Sequence, residues 1–194
     1  MDVRSELESP GLRRIVPSVV ACTIFRAELE HILGVDLEAA WLPAGLHVSE
    51  ERLGQALDEA LGADEDVACF YGACHPDIDA KLAALGGRRV SAKNCVGAFL
   101  SPTEQAELGE RVFIMSPGWL KAWRAIFVEG LGWDEIDGRI NFGAYDRVVV
   151  LDFGLEPIDD LDVLEFFDYT QTEVEILPAT LDYFRERVAE TLEG

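Results

Sequence analysis

RVVVLDF, residues Arg147–Phe153, is the strongest strand signal in the chain. Its apolar run is continuous and rich in β-branched valine. A strand that faces water on one side alternates apolar and polar residues; a run without alternation is buried on both faces, as in the centre of a parallel sheet. Upstream, Val112–Met115 (VFIM) reads as a second strand. Pro117–Leu131 reads as a helix with Trp119, Trp123 and Ile126 on its core face. Downstream, Leu161–Phe167 is helical, Val174–Leu177 is a short strand, and Thr180–Leu192 is an amphipathic helix.

The amino-terminal half repeats the alternation. Ile15–Thr23 (IVPSVVACT) reads as a strand, and Phe25–Leu33 as a helix stopped by Gly34. Leu37–Leu42 is a further strand. Ser49 caps a helix over Glu50–Leu61, without the acidic residue that completes a capping box, since Arg52 stands there. Asp66–Tyr71 (DVACFY) is a strand, Pro76 opens a short helix to Leu85, and Arg89–Ala92 is a weak strand. Ser101-Pro102-Thr103-Glu104 starts another helix, with Ser101 as cap, Pro102 at the first helical position and Glu104 at the third. Strands separated by helices at this spacing give a three-layer α/β/α domain around a mostly parallel sheet. One such domain is expected over residues 1–194, with residues 1–12 as a flexible lead-in.

Composition sets the bounds. The chain has 194 residues, 49% of them hydrophobic, and a formal net charge of −21. That length supports one core. The negative field disfavours nucleic acid and anionic membranes as partners. No apolar run approaches the roughly 20 residues of a membrane span. The first residues lack the basic-then-apolar order of a secretory signal, so a cytoplasmic location is expected. Thiols stay reduced there, and four cysteines then point to metal binding, catalysis or burial rather than disulfides.

The chemistry-bearing residues fall where strands end. Cys22 ends the first strand, and His47 follows the second. Cys74 and His75 follow the third, Asn94 and Cys95 the fourth, and Asp152 ends RVVVLDF. In a parallel sheet these positions share one edge, where open α/β sheets bind ligands. Three thiolates suit a soft metal: an iron–sulfur cluster with one iron open, or zinc completed by His75 or His47. The spacing itself is no compact metal signature, because CxxC is absent. Buried free cysteine is common, so each thiol also reads as core packing; Cys69, inside its strand, reads so outright. Glu28 lies about one and a half helical turns beyond Cys22, within reach of a site. Asp152, a carboxylate at the end of an apolar strand, needs a ligand, a metal or a backbone N–H. The sequence holds no P-loop, GxGxxG after a strand, GxSxG or HExxH. A nucleophilic Cys74 beside His75 remains open, although adjacent side chains seldom point together.

Several of these motifs resemble the DUF1638 family: Ala21-Cys22 with Glu28-Leu29, Leu46-His47, Tyr71-Gly72-Ala73-Cys74, Asn94-Cys95, Ser116-Pro117-Gly118-Trp119 and Tyr145–Leu155. The resemblance runs over roughly residues 15 to 180. Two positions depart from it: Asn94 stands where the family has Asp before the third cysteine, and His75 where it has Gly. The resemblance implies a site built on Cys22, Cys74 and Cys95. It also implies an association with corrinoid-dependent methyltransferase systems.

The expected function is therefore a protein that binds zinc or an iron–sulfur cluster through Cys22, Cys74 and Cys95. His47, His75, Glu28, Asn94 and Asp152 would stand as further ligands or supporting groups. The protein would act in methyl or sulfur transfer beside a methyltransferase or corrinoid protein, with corrinoid present only through that partner. The alternative is a non-catalytic acidic accessory module whose cysteines are structural.

Overall fold

The computed structural model describes residues 18–62 and 66–193. The expected strand start at Ile15–Pro17 and the expected lead-in over residues 1–12 lie outside them. Seven strands and nine helices follow in order among the described residues. The first half holds β1 (Ser18–Cys22), α1 (Arg26–Leu33), β2 (Ala39–Leu42), α2 (Glu50–Leu61), β3 (Val67–Phe70), α3 (Ile78–Ala84), β4 (Arg88–Arg89) and α4 (Val96–Phe99). Then come α5 (Pro102–Leu108), β5 (Val112–Met115), α6 (Pro117–Trp123), α7 (Glu135–Phe142), β6 (Arg147–Asp152), α8 (Asp160–Thr170), β7 (Val174–Pro178) and α9 (Asp182–Glu193). Ala44–Val48 forms a 3-10 turn, and α6 runs on as a π-helix over Arg124–Gly130.

The fold is α/β and every strand pairing is parallel, but the strands form two sheets instead of one continuous sheet. β2-β1-β3-β4 make the first, and β5-β6-β7 the second. Hydrophobic pattern identifies a strand and says nothing about its lateral neighbour, so the break between β4 and β5 leaves no mark in it. β6 is the centre of the second sheet, and Val148, Val149, Val150 and Leu151 are all buried. The unbroken run in RVVVLDF is thus explained by burial on both faces.

Local signals worked as physical chemistry requires. The Ser49 hydroxyl accepts from Arg52 N–H, and Ser101 with Glu104 closes the capping box that opens α5. α9 returns the chain to the first sheet. Its Phe184 stacks on Phe25, with ring centroids 5.5 Å apart, and meets Phe99 at 4.7 Å. Arg88 of β4 donates to the carbonyls of Thr191 and Leu192 near the end of α9, satisfying acceptors that the helix leaves open.

The two sheets meet near the carboxyl ends of β1 and β5. A Cβ placed on Gly118 would stand 2.3 Å from the Ile24 carbonyl oxygen, so only glycine allows α6 to begin against the turn after β1. Likewise a Cβ on Gly45 would stand 2.8 Å from the Ala125 carbonyl, where the 3-10 turn beds on the π-helical segment.

Candidate functional site

In the strand order 2-1-3-4, chain connections leave β1 and β3 in opposite lateral directions. The crevice beyond their carboxyl ends is the place where such sheets take ligands. Cys22 is the last residue of β1. Ala21 pairs with Phe70, so Tyr71, one residue further on, falls beside Cys22. Cys74 follows on the loop from β3. Cys95 arrives on the loop after β4, immediately before α4.

Two devices hold the Cys74 and Cys95 loops together. Ala73 N–H donates to the Lys93 carbonyl, and a Cβ on Gly72 would stand 2.7 Å from the Asn94 Cα. Gly72 is therefore glycine because the two backbones touch. Arg89 adds the second device: its guanidinium donates to the carbonyls of Tyr71, Val90 and Ala92, and is held from outside by Asp79. Arg89 draws the Asp79 carboxyl below its ordinary value. Asn94 accepts from Gly97 N–H at 2.8 Å, fixing the turn that starts α4.

The three thiols lie in one electrostatic neighbourhood. Burial pushes Cys22 up to about 12, with the Ile24 backbone opposing the shift and the Cys95 and Cys74 thiols adding to it. Burial pushes Cys74 up to about 11, again with Cys95 adding to it. Cys95 is raised by burial, against the Trp119 indole, which donates to its Sγ at 3.2 Å. Tyr71 is also shifted up by burial, and its hydroxyl is buried with no hydrogen-bond partner. Cys69 is fully buried and packs in β3. At neutral pH all these thiols are protonated, whereas a cysteine nucleophile needs a lowered pKa.

The other candidates spread out. His47 sits in the 3-10 turn, its Nδ1 donating to the Ala44 carbonyl at 2.5 Å and its ring 5.5 Å from that of Trp119. Trp119 thus stands in contact with both His47 and Cys95. His75 turns elsewhere. Its Nδ1 accepts from Asp77 N–H, and a Cβ on Gly54 would stand 2.9 Å from its Nε2, so the ring packs on α2. A Cys74–His75 catalytic pair has no support in that geometry. Glu28 and Asp152 line a cavity of about 200 Å³ together with Lys121, and none of the cysteines lines it. Asp152 has found a backbone partner, accepting from Gly154 N–H at 2.8 Å.

Three cysteine thiols are donors of the kind that soft metals select. Among the described residues, however, no group of three or more His, Cys, Asp or Glu side chains is placed to hold a metal ion. The donor chemistry fits a thiophilic centre, while the present spacing does not enclose one.

A family model described as "Protein of unknown function (DUF1638)" matches residues 41–188, about three quarters of the chain. The chain belongs to the DUF1638 family. No curated protein and no solved structure matches it. The matched DUF1638 span includes Cys74, Cys95 and Trp119 and begins after Cys22 and Glu28. Among the described residues of this DUF1638 protein, no helix is long and apolar enough to cross a membrane.

Arg89, Tyr71 and Lys121 were not read as site residues from sequence. Arg89 stands in a weak strand, and nothing in the helical pattern of Pro117–Leu131 marks Lys121. Tyr71 carried a signal in Tyr-Gly-x-Cys, because a tyrosine at the end of a buried strand needs somewhere to put its hydroxyl.

Proposed function

We propose that Cys22, Cys74 and Cys95 form one thiol site that takes up a thiophilic metal centre, an iron–sulfur cluster or zinc. The site would serve methyl or sulfur transfer in the cytoplasm alongside a methyltransferase or corrinoid protein. The observation that carries this reading is the placement of the three thiols at one edge of the first sheet: Cys22 at the end of β1, Cys74 on the loop after β3 and Cys95 on the loop after β4, beside the β1/β3 crevice. When bound, such a centre supplies Lewis-acid or sulfur chemistry. The chain's own part is to present the donors. Gly72 and Arg89 hold two of the loops, Tyr71 walls the crevice, and Trp119 orients Cys95. Uptake requires the Cys74 and Cys95 loops to draw inward and each thiol to lose a proton, so binding strengthens with pH.

Anaerobic reconstitution with ferrous iron and sulfide, or with zinc, tests the reading through metal analysis and visible spectroscopy. Stoichiometric metal that disappears in Cys74→Ser and in Cys95→Ser supports it. A colourless, metal-free wild type whose fold is indifferent to both substitutions overturns it. The protonated thiols, the absence of an assembled donor group among the described residues and the net charge of −21 favour a second reading, an acidic docking module with structural cysteines. Salt-sensitive association with a basic partner protein, from metal-free chain, is its expected signature.

A further inference from the structure

The cavity beside Glu28 is lined by none of the thiols. It lies where the turn after β1, the first turns of α1 and α6, and the end of β6 come together. Glu28 is 1% exposed, and its Oε2 is buried with no hydrogen-bond partner. A buried carboxylate oxygen without a donor costs several kcal/mol unless something supplies one. The nearby cations are already engaged: Lys121 pairs with Glu156, and Arg26 pairs with Glu30 at 2.8 Å while its guanidinium lies over the Trp41 ring. The cavity lining therefore carries four carboxylates, Glu28, Glu30, Asp152 and Glu156, against two cations that are both paired. The remaining lining includes the apolar Ile24, Phe153 and Leu155.

We propose that this cavity binds a small organic ammonium ligand whose N–H groups fill the missing donor positions at Glu28. The charge balance selects a cation over an anion. The unpartnered Oε2 selects one that donates hydrogen bonds over a quaternary ammonium. The apolar wall selects an organic amine over a bare inorganic ion, consistent with the absence of a metal-holding group among the described residues.

The groups facing Glu28 set its pH response. From α6, Lys121 favours the ionised carboxylate; from the loop after β6, Glu156 disfavours it. Arg26 and Glu30 on α1 and Asp152 on β6 complete the charged lining. An ammonium in the cavity favours ionised Glu28, so its binding tightens as pH rises from 6 to 8.

Propylammonium, tetramethylammonium, propanol and propionate are the probes. Affinity is read by ligand-detected NMR and thermal unfolding of the full chain at about 0.3 M salt, where contacts with the exposed acidic surface are screened. Propylammonium is expected to bind at least tenfold more tightly than the other three, and at least tenfold more weakly to Glu28→Gln. Asp58→Asn, a change remote from the cavity, is expected to leave it unchanged. Equal binding of propylammonium and tetramethylammonium overturns the proposal. So does preferential binding of propionate, a flat pH profile, or equal affinity of wild type and Glu28→Gln. None of these results bears on the metal content of the thiol site, so the two readings stand or fall separately.

Discussion

The indole Nε1 of Trp119 donates to the Sγ of Cys95 across 3.2 Å, and this bond joins the helix that follows β5 to the loop that follows β4. Trp119 therefore links the two sheets at the crevice itself. Trp119→Phe keeps an aromatic ring for the contacts with His47, Phe113 and Phe127 but removes the donor. The expected loss is about 1–2 kcal/mol of unfolding free energy, from a lost hydrogen bond and some lost packing. The Cys95 thiol should also titrate higher, because the indole favours its thiolate. Urea denaturation and thiol alkylation followed across pH would show both effects; unchanged stability and unchanged Cys95 reactivity would count against a linking role.

Gly72→Ala tests the loop contact. The new methyl would stand 2.7 Å from the Asn94 Cα, a backbone atom that cannot swing aside. The Cys74 and Cys95 loops would have to separate, at a cost of about 1–3 kcal/mol. If the two loops share a metal, Gly72→Ala should lose metal as well as stability. A comparable insult at Gly118, whose added methyl would meet the Ile24 carbonyl, should lower stability and disturb the Glu28 cavity first.

Much of this architecture is legible in the residues, and the reasons for the gaps are physical. RVVVLDF announces a doubly buried strand because burial on both faces removes alternation. Ser101 and Glu104 announce a helix start because capping is a contact between near neighbours. The division into two sheets is different in kind, since it depends on which strand edges meet across more than twenty residues. His75 shows the same limit at a smaller scale. It follows Cys74 directly, yet its ring packs on Gly54 of another helix. Glu28 was readable as close to a strand end. Its complete burial was not, because nothing in FRAELEHIL distinguishes it from Glu30, which is partly exposed and paired with Arg26.

The thiols predict a reactivity order. Cys69 and Cys22 are buried and shifted up to about 12, whereas Cys74 is half-buried and shifted to about 11. The thiolate is the reacting form. Iodoacetamide at pH 7 should therefore modify the metal-free protein slowly. Its rate at Cys74 should rise about tenfold per pH unit toward pH 10, and Cys69 should stay unmodified until the protein unfolds. Peptide mass mapping after timed quenching resolves the sites. Rapid labelling of any cysteine at pH 7 would mean an activated thiolate that this geometry does not provide.

Glu28 makes stability depend on pH, with a sign set by the upward direction of its shift. Burial, with Glu156 adding to it and Lys121 opposing, raises the carboxyl from 4.5 to about 7 in the folded chain. The folded state thus holds this proton more tightly than the unfolded state. The contribution to stability is complete below about pH 4.5 and is lost as pH rises through 7, over a window worth about 3 kcal/mol. Other carboxylates impose their own slopes, so the informative quantity is the difference from Glu28→Gln, which cannot ionise and keeps the shape of the side chain. That variant should match the wild type near pH 4.5 and exceed it by up to about 3 kcal/mol at pH 8. Denaturant unfolding at several pH values measures the difference directly. Parallel curves for the two proteins would mean that Glu28 is not held protonated by burial. A ligand that donates to Oε2 should shrink the gap at pH 8, because it supplies the donor that no protein group provides.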